Sequence, residues 1–198
     1  MRSFYKIFLA VLLAAAVGQP GFASDPGQPK EKPRGGHHHG GPKTPPADIP
    51  AHIKERVSED GTAINLDNSL VGLQGIAFMA EYPPLKSVVS MALKTNNLGD
   101  EGVKVLAESK TFKNLRLLSL WDNRITSIGA QTLASASNFA GLEELNLSAN
   151  NLGDEGVVAL AQSPNMQHLS FLDLSKNEIS DAGAIAIAES PYLSNLKW

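Results

Sequence analysis

The chain has 198 residues, of which 42% are hydrophobic and 19% are charged, and its formal net charge is −3. It contains no cysteine, which excludes disulfide cross-links, thiolate zinc ligands and a thiol nucleophile. The mildly acidic balance argues against nucleic acid as a partner, because recognition of nucleic acid normally needs a basic face.

Residues 1–23 have the layout of a secretory signal peptide. Arg2 and Lys6 give the start a positive charge, an apolar run follows at 7–17, and a small-x-small pattern ends at Ala23. The run is shorter than the ~20 residues that a membrane-spanning helix needs. This favours cleavage after Ala23 over an uncleaved anchor, and it predicts a secreted or periplasmic protein without an integral membrane span. Removing Arg2 and Lys6 from the 17 basic residues leaves 15 against 20 acidic residues, a net charge of −5.

Residues 24–47 are rich in proline and glycine, which predicts a disordered linker. Three adjacent histidines, His37, His38 and His39, interrupt it. A short histidine tract can hold a metal ion loosely, but no carboxylate or cysteine stands near these three at a metal-site spacing. We therefore interpret them as part of a solvated linker or a tag remnant and predict no cofactor. A metal-binding exported protein remains an alternative.

A short capping helix is predicted next, within residues 48–60. Asp48 is a suitable N-cap, and Ile49, Ile53 and Val57 share one face of a helix that extends to Ser58. Solenoids need terminal caps with a polar outer side. We therefore interpret residues 48–60 as the N-terminal cap of the domain that follows.

Residues 61–198 repeat with a period of 27 residues. The template Leu-x-x-Leu-x-Leu-x-x-Asn-x-Leu recurs, and its asparagine stands at Asn96, Asn123, Asn150 and Asn177. A degenerate first copy has Ser69 in this place. A fixed period of this size predicts a solenoid in which each repeat mainly contacts its neighbours.

The second half of each repeat predicts a helix. Glycine recurs at 75, 102, 129, 156 and 183, and apolar residues follow it at helical spacing. We predict the helix N-caps to be Asp100, Ser127, Asp154 and Asp181. Asp100-Glu101 and Asp154-Glu155 resemble acid–base pairs, but they recur at one place in the repeat, which favours capping and a helix-dipole contact over catalysis.

This pattern resembles the leucine-rich repeats of the ribonuclease-inhibitor type, in the variety common among exported bacterial proteins. The resemblance implies an α/β fold, a horseshoe-shaped solenoid of about five repeats. It places a parallel β-sheet on the concave face and helices on the convex face. It also implies a structural role for Asn96, Asn123, Asn150 and Asn177, whose side chains would form a ladder of hydrogen bonds between neighbouring coils.

Period-2 alternation predicts which residues point out of the concave face. The leucines of each Leu-x-Leu turn inward, and the residues between them face a partner. Most are small and polar, but Trp121, Leu117 and Phe171 are large, and charged residues stand nearby. We therefore predict that a protein or peptide partner is bound by Trp121, Leu117, Phe171, Arg116, Glu144, Asp173 and Lys94. The alternative is that Trp121 folds over its neighbours as a surface filler.

The last residues begin a further strand. Leu196, Lys197 and Trp198 match the first three positions of a sixth template copy. The fifth strand is therefore expected to present an open edge that Trp198 covers, or that pairs with a second chain, unless the polypeptide is a fragment. This predicts self-association as a second kind of partnership.

Catalysis has little support in the sequence. No nucleophile–base constellation, phosphate-binding loop or recurring metal-ligand spacing is present. We predict an interaction module and no enzyme. An uncharacterised enzyme remains an alternative, which a cluster of titratable groups in a pocket would favour.

Overall fold

A computed structural model of the protein describes residues 44–197. The predictions for the signal peptide at 1–23, for the linker up to residue 43, for the histidines at 37–39 and for Trp198 lie outside these residues.

Five short parallel strands form one sheet in chain order, each pairing with the strand of the next repeat. Successive strands align at the 27-residue period, so that Ile64 lies opposite Met91, Leu118 opposite Leu145, and Leu145 opposite Leu172. The strands are β1 (Ala63–Asn65), β2 (Ser90–Ala92), β3 (Leu117–Ser119), β4 (Glu144–Asn146) and β5 (Phe171–Asp173).

Helices return the chain from each strand to the next. After α1 (Ile49–Lys54) they are α2 (Gly72–Ala80), α3 (Gly99–Glu108), α4 (Ser127–Ser135), α5 (Gly153–Ala161) and α6 (Asp181–Glu189). Short 3₁₀ turns at Pro83–Ser87, Ser137–Phe139 and Pro164–Met166 lead into the following strand. The α/β solenoid that the repeat predicts is therefore confirmed.

The core lies between the sheet and the helices as continuous columns of equivalent residues. Leu66, Leu93, Leu120 and Leu147 are all 0% exposed, and Met79, Leu106, Leu133 and Leu160 cover them from the helices at 0–1%. Each side chain thus packs on its counterparts one coil away. This is why a strict period in the sequence suffices to define the fold.

The N-terminal end differs from the helix that the apolar spacing predicts. Asp48 accepts a hydrogen bond from the Ala51 N–H at 2.9 Å and caps α1, but the helix ends at Lys54 instead of reaching Ser58. Val57 instead forms an antiparallel bridge with Ile64 of β1. The chain leaves the helix because this pairing covers the free edge of β1.

The predicted N-caps were wrong at all four positions. The N-caps of α4 and α6 are Thr126 and Ser180, one residue before Ser127 and Asp181. In α3 and α5 the N-cap position is Leu98 or Leu152, with no side-chain cap, and Asp100 and Asp154 lie in the first turn. These two aspartates bond the next coil instead.

Within residues 44–197, no helix is both long and apolar enough to cross a membrane.

Candidate functional site

Three columns of side chains run across the strands on the side of the sheet away from the helices, and we call this surface the sheet face. Strand pairing aligns Ser90, Leu117, Glu144 and Phe171 in one column and Ala92, Ser119, Asn146 and Asp173 in the next. The third column follows the strands and contains Asp67, Lys94, Trp121, Ser148 and Ser175.

Trp121 is held by Lys94 from the preceding coil. The Lys94 ammonium lies 3.6 Å from the centre of the indole ring, close enough for a cation–π interaction. Trp121 is half-buried, and Lys94 occupies part of its surface. The structure thus brings two of the predicted partner-binding residues together.

Asp67 extends this contact by one more coil. Its carboxylate accepts a hydrogen bond from the Lys94 backbone N–H at 2.8 Å. Burial raises the pKa of Asp67, and the Lys94 N–H and ammonium charge oppose that shift. Asp67 was not among the predicted partner-binding residues, although its place 27 residues before Lys94 was a usable signal.

Phe171 is the most exposed large apolar side chain of the sheet face, with 44% of its surface accessible. It stands in one row with Glu144 and Leu117, which belong to the two preceding strands. Asp173 lies two residues further along β5 and therefore points to the same side. Its carboxylate accepts the Ser175 N–H at 3.0 Å, which fixes its orientation.

Arg116 lies at the entrance of β3, beside the row that contains Phe171. Its guanidinium donates to the Gly141 carbonyl at 2.9 Å and lies 3.8 Å from the Glu143 carboxylate. Both side chains of this ion pair are more than half exposed, so the pair adds little stability. Arg116 and Glu143 thus border the sheet face and pair with each other.

The four asparagines are buried in the turns that follow strands β2 to β5. Asn123 illustrates the arrangement: its Oδ1 accepts the Asn96 N–H at 3.0 Å, and its Nδ2 donates to the Leu93 carbonyl at 2.8 Å. Asn150 makes the equivalent bonds one coil later. In the coil after that, the Asn177 Oδ1 accepts the Leu152 N–H at 3.3 Å and its Nδ2 donates to the Leu147 carbonyl at 2.8 Å. The side chains thus satisfy backbone groups that would otherwise be buried without partners.

Comparison with known families agrees with this geometry. A family model described as Leucine Rich repeats (2 copies) matches residues 113–157, and one described as Leucine Rich repeat matches 87–107 and 165–188. The chain is a leucine-rich repeat protein. Leucine-rich repeat domains are general protein–protein interaction modules, and folds of this kind are typically non-enzymatic.

One solved structure similar to this leucine-rich repeat protein is an internalin from Listeria monocytogenes, with 22% sequence identity and a TM-score of 0.37. The match covers 58% of this chain and 35% of the internalin chain, so this protein spans about a third of the internalin's length. No curated protein matches the chain.

The helix side of this leucine-rich repeat protein has a shallow groove between α5 and α6, of about 350 Å³. Val158, Ile185 and Pro191 contribute to its lining, and Glu189 is its titratable residue. A single carboxylate does not form a catalytic constellation. Within residues 44–197, no group of three or more His, Asp or Glu residues is arranged to hold a metal ion.

Proposed function

We propose that this protein is an exported interaction module that binds a protein or peptide through the concave sheet face of its leucine-rich repeat arc. The observation that carries the proposal is the row Leu117–Glu144–Phe171, in which pairing of β3, β4 and β5 aligns two apolar side chains around a charge. Phe171 is 44% exposed at the end of this row. An exposed aromatic residue beside charges is the usual composition of a binding hot spot.

The seven proposed contact residues have different tasks. Phe171 and Leu117 supply apolar area, while Trp121 supplies an indole already oriented by Lys94 at 3.6 Å. A side chain that is ordered before binding loses less conformational entropy when the partner arrives. The charged members, Arg116, Glu144, Asp173 and Lys94, would set register and specificity more than affinity.

The test is an affinity pull-down with the mature chain from its native compartment, followed by affinity measurement on the captured partner. Trp121→Ala and Phe171→Ala should each weaken binding by about tenfold or more, the range of a modest hot spot. Ile128→Ala is the matched control, because Ile128 is a 64% exposed apolar residue on α4, on the opposite side of the molecule. Equal affinity for the wild type and for both sheet-face variants would refute the proposal.

Export is a separate part of the proposal, supported by the charge and apolar pattern of residues 1–23. N-terminal sequencing of the protein recovered from its native host should give a chain that begins at Ser24. Recovery of a cytoplasmic chain that retains residues 1–23 would contradict export and leave the binding proposal untouched.

Self-association is a second proposal, supported by the burial of the last coil. Leu172, Ile179 and Ile187 are half-buried, whereas their counterparts one coil earlier, Leu145, Leu152 and Leu160, are 0–1% exposed. A second copy would cover this apolar surface and pair with the edge of β5. Light scattering should then show a mass that doubles with concentration. A constant monomer mass up to about 0.1 mM, a concentration that would populate a micromolar dimer, would contradict it.

A further inference from the structure

The groove on the helix side of the last two coils, which we call the α5–α6 groove, is mainly apolar. Val158 of α5 and Ile185 of α6 line it, and Ile185 leaves 46% of its surface exposed. Ala182, Ala186 and Pro191 add to the apolar lining. Covering these side chains with a partner would be favourable, because it removes apolar surface from water.

The apolar lining is not a general property of the repeat. Val158 and Ile185 hold the same position in successive coils, and the equivalent residues of α3 and α4 are Lys104 and Gln131. The outer side of a surface helix is normally polar, as it is at these two earlier positions. The fold therefore accepts polar side chains here, and the apolar pair in α5 and α6 is not needed to build the solenoid.

Carboxylates stand at both ends of the groove. Asp181 directly precedes Ala182 of the lining, and Glu155 lies one turn before Val158. Glu189 lines the groove at the opposite end of α6. All three acidic residues are exposed, and within residues 44–197 none of their side chains has a hydrogen bond or an ion pair.

The elements that form the groove supply no positive charge. Neither helix nor the segment that follows it contains lysine or arginine, since none occurs at 153–167 or at 181–196. Lys176 lies in the turn after β5, and the Lys197 backbone N–H bonds the Ser170 carbonyl beside that strand. Neither lysine lines the groove. The groove thus combines an apolar lining with negatively charged ends.

This combination fits an amphipathic helix that has basic residues beside its apolar stripe. Asp181 and Glu189 are the first and last of the nine residues of α6, which places them about 12 Å apart along the axis. Lysine or arginine residues eight positions apart on a partner helix have the same spacing. Their aliphatic stems would cover the rim of the groove, while the apolar stripe enters it.

We infer that the α5–α6 groove binds a basic amphipathic helix of another protein. A second copy of this chain using the same surface would bring carboxylates against carboxylates, which is unfavourable. The groove is on the opposite side of the molecule from the sheet face. It is therefore a second interaction site, and it does not depend on what the sheet face binds.

The probe is a synthetic amphipathic helix of leucine and lysine, about 14 residues or four turns long, titrated into the full chain in a calorimeter. It should bind saturably, whereas the matching peptide of leucine and glutamate should not bind. Ile185→Ser should weaken binding of the lysine peptide by about tenfold, and Glu189→Lys by about threefold. Absence of saturable binding up to about 1 mM, the range of a weak complex, would overturn the inference.

Matched variants distinguish the groove from the rest of the surface. Ile128→Ser removes the 64% exposed apolar side chain of α4, and Glu108→Lys reverses the carboxylate that holds the place of Glu189 in α3. Both should leave the affinity within about twofold. Equal weakening by Glu108→Lys and Glu189→Lys would mean that overall charge captures the peptide, and it would overturn the inference. Loss of binding in Phe171→Ala but not in Ile185→Ser would overturn it too, because the peptide would then bind the sheet face.

Discussion

A buried asparagine side chain in each of four coils bonds backbone groups of its own coil and of the preceding one. Asn150 is 9% exposed, and its Oδ1 accepts the N–H groups of Asn123 and Ile125 at 3.0 and 2.9 Å. Its Nδ2 donates to the carbonyls of Leu120 and Leu147 at 3.0 and 2.9 Å. One side chain thus bonds two coils, and both its oxygen and its nitrogen have backbone partners.

Asn150→Ala should therefore lower the free energy of unfolding by about 1–3 kcal/mol, the cost of leaving buried hydrogen-bonding groups without partners. Urea denaturation followed by circular dichroism measures this change. Asn151→Ala is the control, because Asn151 is exposed and its backbone N–H, which bonds the Ile125 carbonyl, is retained. An equal denaturation midpoint for Asn150→Ala and the wild type would contradict the ladder.

The period of the sequence places every side chain in a column, but it does not give its rotamer. The columns of the sheet face follow directly from the 27-residue spacing. That Lys94 folds over Trp121, 27 residues later, depends on the path of a flexible side chain across the strands. Column neighbours are therefore predictable from this sequence, whereas the contact that holds Trp121 depends on the conformation of the Lys94 side chain.

At the scale of elements, the coils are joined in pairs by carboxylates on the helix side. Asp100 of α3 accepts the Thr126 and Gly129 N–H groups at 2.8 and 3.0 Å, at the start of α4. Asp154 of α5 makes the equivalent bonds to Ser180 and Gly183 at the start of α6. Each carboxylate thus caps the helix of the following coil, where its charge also suits the helix dipole.

Local capping rules missed this arrangement because they search within one helix. Gly99 and Gly153 have positive φ angles of 59° and 57°, and they start α3 and α5 where no side chain caps the helix. Their aspartate neighbours are therefore directed to the next coil. The signal in the sequence is that the residue pair at this place changes from one repeat to the next. It is Gly-Asp at 99–100, Thr-Ser at 126–127, Gly-Asp at 153–154 and Ser-Asp at 180–181.

Asp154→Asn tests the role of charge in these contacts. Hydrogen bonds from Ser180 and Gly183 hold the pKa of Asp154 below its ordinary value of 3.8. A carboxylate whose pKa is lower in the folded than in the unfolded state stabilises the fold at pH values above its unfolded pKa. This stabilisation is lost as the pH falls through the folded pKa. The variant should therefore melt at a lower temperature than the wild type at pH 7, and the difference should shrink below pH 3.8.

The control for this pH series is Asp181→Asn. Asp181 occupies the equivalent place in α6, and its side chain accepts no hydrogen bond from another residue within 44–197. It should therefore change the melting temperature little at either pH. A pH-independent difference between Asp154→Asn and the wild type would show that the contact does not depend on the carboxylate charge.

Gly183→Ala tests the same contact from the other side. Alanine normally stabilises a helix over glycine by about 0.5–1 kcal/mol. At this position its Cβ would lie 2.6 Å from the Asp154 Oδ1 and 2.7 Å from the Ile179 Cγ2. The variant should lose about 1–3 kcal/mol of unfolding free energy in urea denaturation, the usual effect of overpacking. Stabilisation would contradict close approach of the coils.

At the scale of the whole molecule, stability depends on how many neighbours a coil has. Leu145 of β4 is 0% exposed, with packed coils on both sides, whereas its counterpart Leu172 of β5 is half-buried. Leu145→Ala should therefore cost about 2–5 kcal/mol of unfolding free energy, as core truncations do. Leu172→Ala should cost less, because part of that side chain already meets solvent. Equal costs would contradict this gradient along the solenoid.

The fold was predictable because every repeat restates it, so that one misjudged residue does not disturb the pattern. The candidate site is less predictable, because the repeats do not restate it. It consists of the positions that differ between repeats, such as Leu117, Glu144 and Phe171 in a column that elsewhere holds Ala63 and Ser90. Periodicity identifies these differences, but their chemistry depends on which of them remain exposed.

The most direct test of the account is the affinity of one captured partner for three forms of the chain. Phe171→Ala removes the exposed ring of the sheet face, and Ile128→Ala removes an apolar side chain from the helix side that is more exposed still, at 64% against 44%. We expect about tenfold or greater weakening for Phe171→Ala and wild-type affinity for Ile128→Ala. Weakening by Ile128→Ala with no effect of Phe171→Ala would place the binding surface on the helices and contradict the account.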